Sequence, residues 1–260
     1  MTTAEGPVDA APVSPPGETR EPQVWKFVGT SLWGLVLFGA MFVGQVAVVA
    51  WFLWSGGGSI DRDTLVSLTS NGRIIALSVI MGLPAIMLAL WVAIRWSRIP
   101  FADYLALRWP SWRTLGAGAL SLVLLMVAWE IISRVAGRES SPGFMMDVLK
   151  TARADGALWL LVFAFCVAAP ITEEFFARGF LYRGWSESFL RPAGAILLSS
   201  AVWTAMHLQY NWFFLAQVFS IGLLFGYLRY RSNSTWLTVI LHGINNLAAT
   251  VQTFLLVNNS

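Results

Sequence analysis

Cysteine and histidine are nearly absent from this chain of 260 residues, which has one cysteine, Cys166, and two histidines, His207 and His242. A single thiol excludes an intrachain disulfide framework, and Cys166, within an apolar run, reads as a small packing residue. Charge is scarce too. Only 12% of residues are charged against 57% hydrophobic, and the mean hydropathy of +0.64 excludes an ordinary soluble domain. The net charge of +3 is no nucleic-acid signal, because the positive residues gather at the edges of apolar runs. The local HExxH zinc signature is missing. The first residues also lack the basic n-region and short apolar core of a cleavable signal, and no lipid-attachment cysteine precedes the first apolar run.

What the chain does have is apolar length. Seven runs, at about 28–54, 74–94, 114–135, 157–182, 194–210, 212–229 and 235–257, suit a hydrocarbon layer roughly 30 Å thick at 1.5 Å per helical residue. They are too long and too uniformly apolar for the strands of a membrane barrel. The expected fold is therefore an all-α, polytopic transmembrane helical bundle of seven spans over residues 25–260. Residues 1–24, rich in Pro, Ala, Thr and acidic side chains, are expected to form a disordered tail.

If the runs alternate across a bilayer, the side with the N-terminus and the loops after spans two, four and six carries eleven Lys or Arg, the other side six. The positive-inside rule then puts the N-terminus in the cytoplasm. Tryptophans cluster near span ends, among them Trp25, Trp54, Trp96, Trp109, Trp112 and Trp212, as an interfacial aromatic belt does. An interfacial helix is expected between Pro142 and Ala152. The Ala-, Gly- and Arg-rich composition suits a bacterial plasma membrane.

Ionisable groups cost about 3 kcal/mol or more each at mid-bilayer, so those retained there are usually used. Glu173 and Glu174 lie in the fourth run, His207 in the fifth, His242 and Asn246 in the seventh. Counted from the cytoplasmic edge they fall roughly 12 to 20 Å deep, so three helices can deliver polar groups to one cavity. Glu174 and Arg178 are four apart, acid first, as in a same-face ion pair. Glu173, turned about 100° away, has no local partner and is a candidate proton acceptor or a hydrogen-bonded core residue. Pro170 removes a helical hydrogen bond, expected at the Cys166 carbonyl. His242 and Asn246 share a face and can both donate from it. Gly222 and Gly226 form a small-xxx-small pair that lets the sixth run approach a neighbour.

Three elements in order, Glu173-Glu174 with Arg178, Trp203 followed after three residues by His207, and His242 followed after three by Asn246, resemble the CAAX prenyl protease and bacteriocin-processing (CPBP, Abi) family of intramembrane endopeptidases. The resemblance covers roughly residues 157–257. Trp203 stands where the family more usually has Phe, and Ala177 where an aromatic commonly precedes Arg-Gly. The family commonly has about eight helices, leaving room for an eighth span. The resemblance implies that Glu173 is the general base, that His207 holds the water beside it, and that His242 and Asn246 stabilise the oxyanion. Glu174 and Arg178 would keep the fourth helix in position.

Glu173, His207 and His242 could alternatively ligate zinc with an open position for water. The family has been described both as metalloproteases and as glutamate-dependent proteases. A metal-free site is preferred, because Asn246 beside His242 makes better sense as a hydrogen-bond donor than as a zinc neighbour. A non-catalytic immunity or peptide-binding protein on the same fold is the competing class. Proton-coupled transport would also use intramembrane Glu and His, but no inverted repeat is visible. The expected partners are the bilayer and a peptide or membrane-protein substrate; prenylation of that substrate is not implied.

Overall fold

The computed structural model describes residues 21–56, 67–138 and 141–259. Its main helices are α1 (Phe27–Gly56), α2 (Gly72–Ser97), α3 (Trp112–Val135), α4 (Gly143–Ala154), α5 (Leu158–Ser186), α6 (Arg191–Ala205), α7 (Trp212–Ser232) and α8 (Thr235–Asn259). No strand occurs among the described residues. Most of the tail expected over 1–24 lies outside them; within the described part, the Gln23 N–H donates to the Ser97 carbonyl at 3.1 Å.

Among the described residues six helices, α1, α2, α3, α5, α7 and α8, are long and apolar enough to cross a membrane. The run at 194–210, expected as the fifth of seven spans, forms the 15-residue α6, which is about 22 Å long, stops at Ala205 and is shorter than those six. His207 and Tyr210 then donate backbone bonds to the Thr204 and His207 carbonyls in tight turns, and the Asn211 side chain caps α7 by accepting from the Phe213 and Phe214 N–H groups. A helix also forms where an interfacial one was expected, as α4. The six long helices expose Leu35, Leu88, Leu124 and Leu255, an inversion of the soluble pattern that suits a lipid solvent.

Hydrogen bonds sort the loops into two ends. The Thr235 N–H donates to the Ala106 carbonyl at 3.0 Å and Ser234 Oγ to the Arg108 carbonyl, so the α7–α8 turn lies beside the segment after α2. With the Gln23–Ser97 bond this gathers the N-terminal segment and these loops at one end, the grouping expected of alternating spans. At the other end α4 holds the start of α2, where Thr151 Oγ1 accepts from the Gly72 N–H at 2.8 Å, and the end of α8, where Arg153 Nη1 donates to Asn258 Oδ1 at 2.6 Å.

Close backbone approach sets the helix spacing. α1 crosses α2 at Gly44 and Gly82, where a Cβ on Gly44 would lie 2.5 Å from the Ser78 carbonyl oxygen and run into the Gly82 backbone. Gly222 and Gly226 of α7 lie against α6, with Ser200 and Ile196 in the space a Cβ would need. Gly44→Ala should overpack the α1–α2 crossing by about 1–3 kcal/mol, lowering the unfolding temperature in detergent by roughly 3 to 10 °C. Gly39→Ala, on the same helix with open space around it, should leave that temperature unchanged. A thiol-reactive dye reporting on the half-buried Cys166 can follow both unfolding curves.

Candidate active site

The chemistry of α5 begins with its winding. Residues Ala164–Ala168 and Phe175–Leu181 form π turns on either side of Glu173 and Glu174, an irregularity common at functional sites. In the first of these, Ala169 N–H donates to the Ala164 carbonyl, five residues back. The next carbonyl in that register, Phe165, faces Pro170, which has no N–H. Asn246 Nδ2 takes it at 2.8 Å. The orphan made by Pro170 is thus the Phe165 carbonyl, one residue before the Cys166 carbonyl that uniform α winding predicts, and a side chain from α8 fills it. α8 comes this close because residue 243 is glycine: a Cβ there would sit 2.6 Å from the Cys166 carbonyl oxygen.

Glu174 and Arg178 form the expected ion pair, Nη1 to Oε1 at 2.9 Å, with both side chains fully buried. The same Oε1 also receives His242 Nδ1 at 3.0 Å. Arg178 Nη2 donates to the Gly222 carbonyl at 3.2 Å, and its guanidinium lies 4.5 Å from the Trp203 ring centroid. This cluster therefore joins α5 to α6, α7 and α8. His242 was expected to face the cavity with Asn246; it lines the cavity, but its Nδ1 belongs to Glu174.

Glu173, which lacks a partner on its own helix, finds one on α6: Trp203 Nε1 donates to its Oε2 at 2.6 Å. The Trp203 carbonyl lies 3.0 Å from His207 Nδ1. A carbonyl only accepts, so Nδ1 carries the proton, and the Nε2 of the neutral ring can accept from water. The Trp203 ring stands nearly edge-on to both imidazoles, 5.1 Å from His207 and 5.4 Å from His242. The indole donor is a feature the sequence carried only as an aromatic replacing Phe.

Glu173, His207, His242 and Asn246 all line one cavity of about 890 Å³, to which every one of the eight helices contributes. Its walls are largely apolar, with Gln45, Tyr210, Gln217 and Asn245 among the polar groups. Glu174 and Arg178 lie behind the wall and do not line it. Among the described residues, no three His, Cys, Asp or Glu side chains are gathered so as to hold a metal ion, and this includes the three named above as zinc donors. Cys166 is half-buried on α5 and does not line the cavity.

Removing one member of the buried cluster strands its partners. Glu174→Gln should destabilise the protein by about 3 kcal/mol or more, because the Arg178 guanidinium keeps its charge without a counter-ion. The double replacement Glu174→Leu with Arg178→Met should recover much of that loss in thermal unfolding.

No curated protein and no solved structure matches the chain. Residues 155–248, which carry Glu173, Glu174, Arg178, Trp203, His207, His242 and Asn246, match the family model of the type II CAAX prenyl endopeptidases, Rce1-like, in agreement with the family that the three motifs resemble.

Proposed function

We propose that the protein is an intramembrane endopeptidase that hydrolyses a peptide bond with water activated by Glu173 and His207. The observation that carries this reading is the Trp203 bridge: a carboxylate from α5 and an imidazole in the turn after α6 are tied to one residue at the wall of a cavity between the spans. With Oε2 of Glu173 on the indole, Oε1 remains to take a proton from water. His207 Nε2 accepts that water's second hydrogen and orients its lone pair towards the scissile carbonyl.

As water adds, negative charge grows on the carbonyl oxygen and needs donors. Asn246 spends one amide hydrogen on the Phe165 carbonyl and has a second to offer. His242, with Nδ1 donating to Glu174, can donate from Nε2 only when the ring carries both protons. Glu173 then passes its proton to the leaving amine.

The mechanism is metal-free in this reading, with Asn246 beside His242 serving as a hydrogen-bond donor and not as a zinc neighbour. Zinc bound stoichiometrically to purified active protein, with activity lost on chelation and restored by the metal, would overturn that part. The substrate is a peptide or membrane-protein segment that reaches the cavity from the bilayer or its surface. The N-terminus is cytoplasmic, as the excess of basic residues on its side favours.

Glu173→Gln should lower cleavage by at least about 100-fold while the protein still inserts and keeps its unfolding temperature. His207→Ala should behave similarly. The test is N-terminal labelling of membrane proteins from cells lacking the protein, complemented with wild type or Glu173→Gln at equal expression. New peptide ends that appear only with wild type identify substrates and support hydrolysis. Identical peptide ends, with the same cellular phenotype from both forms, would favour a non-catalytic immunity or peptide-binding protein.

A further inference from the structure

Trp203 does more than fill space. It is almost fully buried, and its Nε1–H is committed to Glu173 Oε2 at 2.6 Å while its carbonyl faces His207 Nδ1 at 3.0 Å. The ring itself is clamped. Arg178 covers it, and Gly222 of α7 lies so close that a Cβ there would sit 3.2 Å from Trp203 Cε3. Arg178 is in turn held by Glu174 and the Gly222 carbonyl. An indole fixed in this way fixes the carboxylate oxygen it touches.

We propose that Trp203 is a positioning residue for the hydrolytic reaction: its indole N–H pins Oε2 of Glu173, aims Oε1 at the water on His207 Nε2, and keeps base and water-holder in register. The proposal rests on the endopeptidase reading above. Phe, the residue more usual at this position in the family the chain resembles, fills much of the same space but has no donor. Oε2 would then have no hydrogen bond from α6, and the charged and titratable groups around Glu173 would be Arg178 on its own helix, His207 after α6 and Tyr210 in the following turn. Arg178 is engaged by Glu174, so it makes a poor substitute for the indole.

The test uses the full-length protein in detergent or liposomes, with a quenched fluorogenic peptide spanning a cleavage site found by N-terminal labelling. Trp203→Phe, and replacement of the indole by its benzothiophene isostere, should each lower kcat by about 10- to 100-fold with KM within about twofold of wild type. The isostere keeps the ring shape and loses only the N–H, so it answers the question even if Trp203→Phe fails to fold. Glu173→Asp should cost less in the isostere background than in wild type, because the carboxylate is already out of position there. Additive losses, or a raised KM with unchanged kcat, would mean that Trp203 only packs.

Full activity of both Trp203 variants, with Glu173→Gln inactive, would overturn the positioning role and leave the endopeptidase reading intact. Full activity of Glu173→Gln, or no cleavage by wild type, would bring down that reading and this inference with it.

Discussion

A guanidinium fully removed from water must have a counter-charge, and Arg178 meets that demand with one oxygen of Glu174. The same oxygen holds His242 of α8, the other arm of the guanidinium holds the Gly222 carbonyl of α7, and its face lies on Trp203 of α6. One ion cluster therefore joins α5, α6, α7 and α8 around the candidate site. Where lipid tails are as apolar as the side chains, helices gain little by hiding leucines from the solvent, and polar contacts and close packing must specify the arrangement.

Close packing depends on small residues placed opposite backbone. Gly222 and Gly226 admit α6, Gly243 admits the Cys166 carbonyl of α5, and Gly44 meets Gly82 in the wall formed by α1 and α2. The π turns of α5 work with them. By shifting the hydrogen-bond register they leave the Phe165 carbonyl opposite Pro170, and Asn246 reaches it because Gly243 has already brought α8 close. Backbone irregularity at membrane depth is tolerated here because Asn246 satisfies the carbonyl that it frees.

The cavity separates the proposed chemistry from its support. Glu173, His207, His242 and Asn246 line it, while Glu174 and Arg178 stand behind its wall, where Glu174 holds His242 by a hydrogen bond. Adjacent acids thus have different surroundings, decided by the 100° turn between them: one faces the cavity and an indole donor, the other an arginine and a histidine. In the proposed hydrolysis, a site supported in this way has less freedom to reorganise when charge develops.

Much of this was legible from residues alone. The six long helices agree with the apolar runs to within a few residues, since hydrocarbon thickness dictates their length. The Glu174–Arg178 pair followed from four-residue spacing, because a single helical turn fixes that geometry whatever surrounds it. The polar residues to watch were also plain, because so few occur in the apolar runs. Neither the partner of Glu173 on α6 nor the capture of His242 by Glu174 could be read this way, because both depend on how separate helices cross. Nor could the early end of α6, where the chain turns over 206–210 before Asn211 caps α7. The sequence by itself determined the helices, their apolar faces and the ionisable groups on them, all consequences of local periodicity and of the cost of burying charge. Only the tertiary structure decided which of those groups meet, because that is set by glycine contacts, π turns and one shared carboxylate oxygen between residues far apart in the chain.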